Sequence, residues 1–227
     1  MQFGFGSGTG VSQINFRTLR SLPNLVSMKL IFTLGLCIAG LLPVAAQIKP
    51  LELGSPIPKA DIKMKDVSGK LVSLSDMRTP NGLLVMFSCN TCPYVQKNQS
   101  RTQAIGALAK EKGIGFIVLN SNEGSRNAED SYRSMQEYAR NQKYNWPYTI
   151  DSKNELADAF GATRTPECFL FDAEGKLVYH GAIDDNPADP SKVNRKHLEH
   201  AIAETLAGRE VSVKKSRSVG CSIKRKS

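Results

Sequence analysis

The stretch Leu83-Leu84-Val85-Met86-Phe87-Ser88-Cys89-Asn90-Thr91-Cys92-Pro93-Tyr94 decides how the rest of the chain is read. Five consecutive apolar residues lead into two cysteines separated by two residues. Pro93 then stands where a first helical turn accepts proline, because the missing N–H would have had no partner there. Apolar strand, Cys-x-x-Cys turn and helix in that order put a dithiol at a helix N-terminus. Unpaired N–H groups and the helix dipole favour a thiolate at that position. The thiolate is the reactive form of cysteine, so Cys89 and Cys92 form a candidate redox centre.

Downstream, Tyr94 to Lys112 has no proline and reads as one helix ended by Gly113, and residues 114–120 read as a second buried strand. Strand, helix and strand in succession make a βαβ unit. Ser131 to Lys143 is a helix with Tyr132, Met135, Tyr138 and Ala139 on one face. Residues 146–151 lead through a short strand to a short helix over 154–160, closed by Gly161. Strands over 169–171 and 176–181 flank the turn Ala173-Glu174-Gly175, and a last helix runs from Asn194 to Leu206. Upstream, residues 61–66 and 70–74 alternate in polarity about Val67-Ser68-Gly69, which is a β-hairpin pattern. Residues 123–130 read as a polar loop.

The 227 residues carry a formal net charge of +9, and its placement matters more than its size. Residues 1–47 hold Arg17, Arg20 and Lys29 with no acid. Residues 209–227 hold seven Lys and Arg against Glu210, and the stretch between is balanced. A nucleic-acid-binding domain carries basic residues through its fold, so that class is excluded. Residues 28–46 begin Met28-Lys29, run apolar from Leu30 to Val44 and end Ala45-Ala46, which is a secretory signal peptide with cleavage before Gln47. Residues 1–27 then stand as an upstream extension. The apolar run is shorter than the ~20 residues of a membrane span and contains Gly35, Gly40 and Pro43, so no stable anchor is expected. The expected location is periplasmic or extracellular. Two cysteines three positions apart close too small a loop to add much stability, so outside the cytosol this pair is suited to exchange rather than stapling.

The motifs, taken together, resemble the thioredoxin-like superfamily, in its AhpC/TSA (peroxiredoxin-like) branch. The resemblance covers about residues 50–208. It rests on the strand ending at Phe87, the Cys89-Asn90-Thr91-Cys92 turn, strand 114–120, Thr165-Pro166 before strand 167–172, and the hairpin 176–182. The run Cys-Asn-Thr-Cys-Pro-Tyr-Val is similar to a subgroup that also carries Asp184-Asp185-Asn186-Pro187 and Gly220-Cys221-Ser222-Ile223-Lys224. The resemblance implies an α/β thioredoxin-like fold, a central mixed sheet flanked by helices, with the N-terminal β-hairpin as an extension. It also implies a cis Pro166 facing the dithiol, with the Thr165 backbone free to pair with a substrate peptide as an added strand.

The implied activity is exchange of disulfides with protein substrates. Cys89 attacks, Cys92 resolves, no cofactor or metal is needed, and an unidentified redox partner resets the pair. A thiol peroxidase would use Cys92 instead and needs an arginine at the site. That arginine's position falls near Pro166, with Arg164 the nearest substitute. A Cu(I) carrier would use both thiols and a distal histidine, for which His180 is the candidate. Cys168 reads as a small buried strand residue. Cys221 lies in a basic tail, 209–227, expected to be a mobile, solvated extension whose Lys and Arg lower the thiol pKa. It reads either as a third redox residue that folds back on the dithiol or as an incidental thiol.

Overall fold

The computed structural model describes residues 48–226. The proposed extension 1–27 and signal peptide 28–46 lie outside the described residues. In chain order the elements are β1 (Met64–Lys65), β2 (Leu71–Val72), α1 (Leu74–Met77), β3 (Leu83–Ser88), α2 (Pro93–Lys97), α3 (Gln99–Glu111) and β4 (Gly115–Asn120). They continue with α4 (Tyr132–Asn141), β5 (Tyr148–Ile150), α5 (Glu155–Phe160), β6 (Arg164–Thr165), β7 (Glu167–Phe171), β8 (Leu177–Gly181), α6 (His197–Leu206) and β9 (Cys221–Ser222).

The central sheet has the order β5-β4-β3-β7-β8. β3 pairs parallel to β4 and antiparallel to β7, so the sheet is mixed, as expected. β3 is buried along its whole length because helices cover both faces, and such a strand must be a continuous apolar run. Its side chains still alternate. Leu84 and Met86 join Ile105, Val118, Met135, Leu170 and Leu198 on one face. Leu83, Val85 and Phe87 join Leu74, Ile117, Phe160, Phe169 and Phe171 on the other. There the Phe160 ring meets Phe87, Phe169 and Phe171 edge-on, with centroids 5.4, 5.0 and 5.8 Å away.

The N-terminal hairpin forms as predicted, with Met64 opposite Val72. Two expectations change. The single helix over 94–112 is broken at Asn98, whose side-chain amide donates to the carbonyls of Tyr94 (2.7 Å) and Pro187 (3.1 Å). An asparagine that competes for helix carbonyls interrupts the ladder. The basic tail is not a mobile extension. It returns across the body as a strap: Ser216 N–H donates to the His180 carbonyl, β9 pairs antiparallel with β6, and Ile223 is buried in the core beside Phe160. Among the described residues no helix is long and apolar enough to cross a membrane.

Candidate active site

β3 ends at Ser88, and the chain turns through Cys89-Asn90-Thr91-Cys92 into α2, with Pro93 at its first position. Both thiols are covered, at 2% and 3% exposure. The turn is pinned by Asn90. Its backbone N–H donates to Asp130 Oδ1 (3.0 Å), its amide donates to the Glu129 carbonyl (2.8 Å), and its Oδ1 accepts from the Tyr148 hydroxyl (2.9 Å). Asp130 is fully buried and also accepts from the Asn120 and Asn122 amides at 2.8 and 2.9 Å. The polar loop 123–130 thus holds up the redox turn. Its composition signals a loop, but nothing in a linear reading joins Asp130 to Asn90.

Facing the dithiol is the Thr165–Pro166 peptide, which is cis. The Thr165 hydroxyl lies 3.3 Å from Cys89 Sγ, and the Thr165 carbonyl accepts from the Cys92 thiol at 3.3 Å. Glu167 shapes this loop. Its Oε2 accepts from the N–H groups of Thr163 (2.8 Å) and Arg164 (3.0 Å), and its Oε1 bonds His180 Nε2 at 2.6 Å. This buried glutamate, one residue past the proline, holds the loop and was passed over in the sequence.

Cys221 completes a cluster of three sulfurs. β9 sets it opposite Thr165, its backbone N–H reaches Cys92 Sγ at 3.4 Å, and its side chain packs on the group formed by Cys89, Cys92 and Val95. All five candidate residues, Cys89, Cys92, Thr165, Pro166 and Cys221, therefore meet at one place. Cys168 does not join them. It is fully buried on the face of β7 toward Met135 and Leu198, where burial pushes its thiol up.

The electrostatics are uneven across the cluster. The Cys89 thiol, donating toward Cys92, holds Cys92 well below the ordinary thiol range. Burial opposes this, and Cys221 reinforces it. Cys89 is pushed up by the same Cys92 contact and by burial. Both shifts run in the direction that favours ionisation at Cys92 over Cys89. Lys224 and Arg164 do lower the Cys221 thiol, as expected, but partial burial and the nearby Cys92 sulfur outweigh them and raise it to about 11. Arg164 is exposed and donates to the Gly220 carbonyl at 3.1 Å, so it points to the strap rather than to the thiols. His180 stacks on Phe169, 4.2 Å between centroids, and is engaged by Glu167. The Asp184-Asp185 turn is an anchor, with Asp184 bonding Arg101 of α3 at 2.6 Å.

The dithiol at the strand–helix turn and the cis-proline loop opposite it both lie within the span that one family model matches. The model, Redoxin, matches residues 52–196. The chain belongs to the redoxin family. This redoxin is an oxidoreductase that works through thiol–disulfide chemistry. The thiol-disulfide oxidoreductase ResA of Bacillus subtilis is 24% identical to it over 135 residues, covering 60% of this chain and 70% of that protein. A hypothetical protein from Sinorhizobium meliloti 1021 superposes with a TM-score of 0.72 at 30% identity, covering 79% of this redoxin and 97% of that chain. An uncharacterized conserved protein from Geobacillus kaustophilus does so with a TM-score of 0.72 at 34% identity, covering 77% and 93%. The strap lies beyond the residues that the family model matches.

Proposed function

We propose that this redoxin is an exported thiol–disulfide oxidoreductase that exchanges disulfides with protein substrates through Cys89 and Cys92. The observation that carries the reading is the pair of thiols set against Thr165, with one sulfur favoured as thiolate. Cys92 opens the exchange by attacking a substrate disulfide. A second thiol then attacks Cys92 Sγ and releases the substrate thiol, and the exchange ends as a Cys89–Cys92 disulfide. This reverses the order expected from the sequence. It is supported by the direction in which Cys89 and Cys221 shift Cys92 and by the Cys221 N–H that reaches the Cys92 sulfur at 3.4 Å. An external dithiol partner resets the pair, and the chemistry calls for no cofactor or metal. Thr165 and Pro166 form the wall against which a substrate segment lies. Export is read from residues 28–46.

The outward Arg164 counts against a peroxide-binding site, and the Glu167 contact of His180 counts against a copper ligand. The test is an insulin-disulfide reduction assay on the full chain beside its Cys89→Ala and Cys92→Ala variants, with hydrogen peroxide consumption measured in parallel. Wild-type turnover of insulin that is lost in Cys92→Ala is the expected result. Peroxide consumption that survives Cys89→Ala, is lost in Cys92→Ala and is unaccompanied by insulin reduction overturns it in favour of a peroxidase.

A further inference from the structure

We propose that the strap 209–226 is a tethered, substrate-like strand and that Cys221 is the internal disulfide partner of Cys92. The proposal rests on the reading of Cys89 and Cys92 as an exchange dithiol and says what the site accepts: a cysteine in an extended segment.

The first observation is where β9 sits. It pairs antiparallel with Arg164–Thr165, placing Ser222 opposite Arg164 and Cys221 opposite Thr165. Strand addition to an open edge is a general mode of recognising an extended peptide. The edge beside the dithiol is therefore already filled, by a segment of the same chain with a cysteine at the position facing the sulfurs. The second observation is contact: Cys221 N–H reaches Cys92 Sγ at 3.4 Å and the Cys221 side chain lies in the thiol cluster.

The third is that the fold makes room for the strap. A Cβ on Gly220 would fall 1.9 Å from the Thr165 carbonyl oxygen, and one on Gly181 would fall 2.2 Å from Ser216 Oγ. Lys224 N–H donates to Asn122 Oδ1 (2.9 Å), and Gly124 N–H donates to the Lys224 carbonyl (2.8 Å). The fourth is that the thiols are almost wholly covered, so a macromolecular substrate reaches them only when β9 lifts from β6. Lifting gives up the burial of Ile223 and its N–H bond to the Thr163 carbonyl (3.0 Å), together with the Lys224 contacts. Beyond Ile223 the strap's ion pairs are Lys224 with Glu129 (2.7 Å) and Arg225 with Asp158 (2.8 Å), at partly exposed sites where such pairs contribute little.

The chemistry balances with a disulfide as oxidant. Cys92 thiolate attacks R–S–S–R′. A Cys92–S–S–R bond forms, the R–S–S–R′ bond breaks, and R′S⁻ leaves and takes a proton from water. β9 returns, and Cys221 loses its proton and attacks Cys92 Sγ. The Cys92–Cys221 disulfide forms, the bond to R breaks, and RS⁻ leaves and is protonated. Two electrons have passed from the Cys92/Cys221 pair to the substrate. Attack by Cys89 on Cys92 Sγ then expels Cys221 and yields Cys89–Cys92, with no further change in oxidation.

The experiment uses the full-length Cys89→Ala variant, treated with oxidised glutathione, quenched by alkylation and mapped by mass spectrometry without reduction. The expected product is a peptide joining Cys92 to Cys221. Adding Cys221→Ser should leave Cys92 carrying glutathione. Adding Gly220→Val instead, which displaces β9 and keeps both thiols, should cut the yield of the linked peptide at least tenfold in protein whose circular dichroism matches the parent. Glutathionylated or unreacted Cys92 with free Cys221 in Cys89→Ala overturns the proposal, as does a link whose yield is indifferent to Gly220→Val. The two readings fail separately. A Cys92–Cys221 link in a protein whose wild type leaves insulin untouched sinks only the protein-substrate reading. Insulin turnover without the link sinks only this one.

Discussion

Asp130→Ala tests whether the redox turn is held from below. The Asp130 carboxylate is fully buried and accepts from the Asn90 backbone N–H and from the Asn120 and Asn122 amides, at 3.0, 2.8 and 2.9 Å. Truncation leaves three buried donors without acceptors, and each costs about 1–3 kcal/mol. Water entering the vacated polar space recovers part of that, so the expected loss is about 3–5 kcal/mol. Asp130→Asn separates hydrogen bonding from bulk. Its one oxygen can keep the position of Oδ1, which serves Asn90 and Asn120, and the new amide then meets the Asn122 amide donor to donor, leaving two donors unpaired at about 1–3 kcal/mol each. Urea unfolding followed by fluorescence of Trp146, the single tryptophan, measures both. That ring lies in the core against Phe116, 5.0 Å between centroids, and reports global unfolding. An Asp130→Ala protein within about 1 kcal/mol of wild type, below even one lost donor, would refute the account.

Three further outcomes are expected. Iodoacetamide alkylation of Cys92 should rise with pH through a midpoint well below the ordinary value of 9.0, since only thiolate reacts. Cys89→Ala should move that midpoint up by removing the leading donor, and a wild-type midpoint at or above 9.0 would contradict the assignment. Phe160→Ala empties a fully buried site ringed by three phenylalanines and should cost about 3–5 kcal/mol in the same urea titration. Glu167→Gln leaves one oxygen to serve the Thr163 and Arg164 N–H groups and His180. It should cost about 1–3 kcal/mol and change the rate at which Cys92 is alkylated, whereas a purely structural role for Glu167 would leave that rate unaltered.

What the sequence made legible has a common cause. β3, predicted over 83–88 and found at Leu83–Ser88, is a strand buried on both faces, and such strands announce themselves as unbroken apolar runs. Gly113 and Gly161 marked helix ends correctly because both adopt left-handed backbone angles, φ 64° and 65°. The break at Asn98 was not legible, since it depends on a contact with Pro187, 89 residues away. Asp130 and Glu167 escaped for the same reason: a buried carboxylate in a polar stretch looks like any surface acid until the fold brings Asn90 or His180 to it. The strap was misread because charge density stands for solvation in a linear reading. In the folded chain Lys224 and Arg225 find Glu129 and Asp158, and Ile223 between two hydrophilic flanks inserts into the core.

Gly220 also answers a question of counting. A ladder only two residues long has little of its own to stop it sliding, and a slip by one residue turns every side chain to the opposite face. Such a slip would bring Val219 or Cys221 to the place where a Cβ meets the Thr165 carbonyl oxygen at 1.9 Å, which no side chain tolerates. Steric exclusion at a single carbon position therefore selects the alignment that turns the Cys221 sulfur inward, and the missing methyl group serves as the index mark that aligns this thiol with a pair more than a hundred residues upstream.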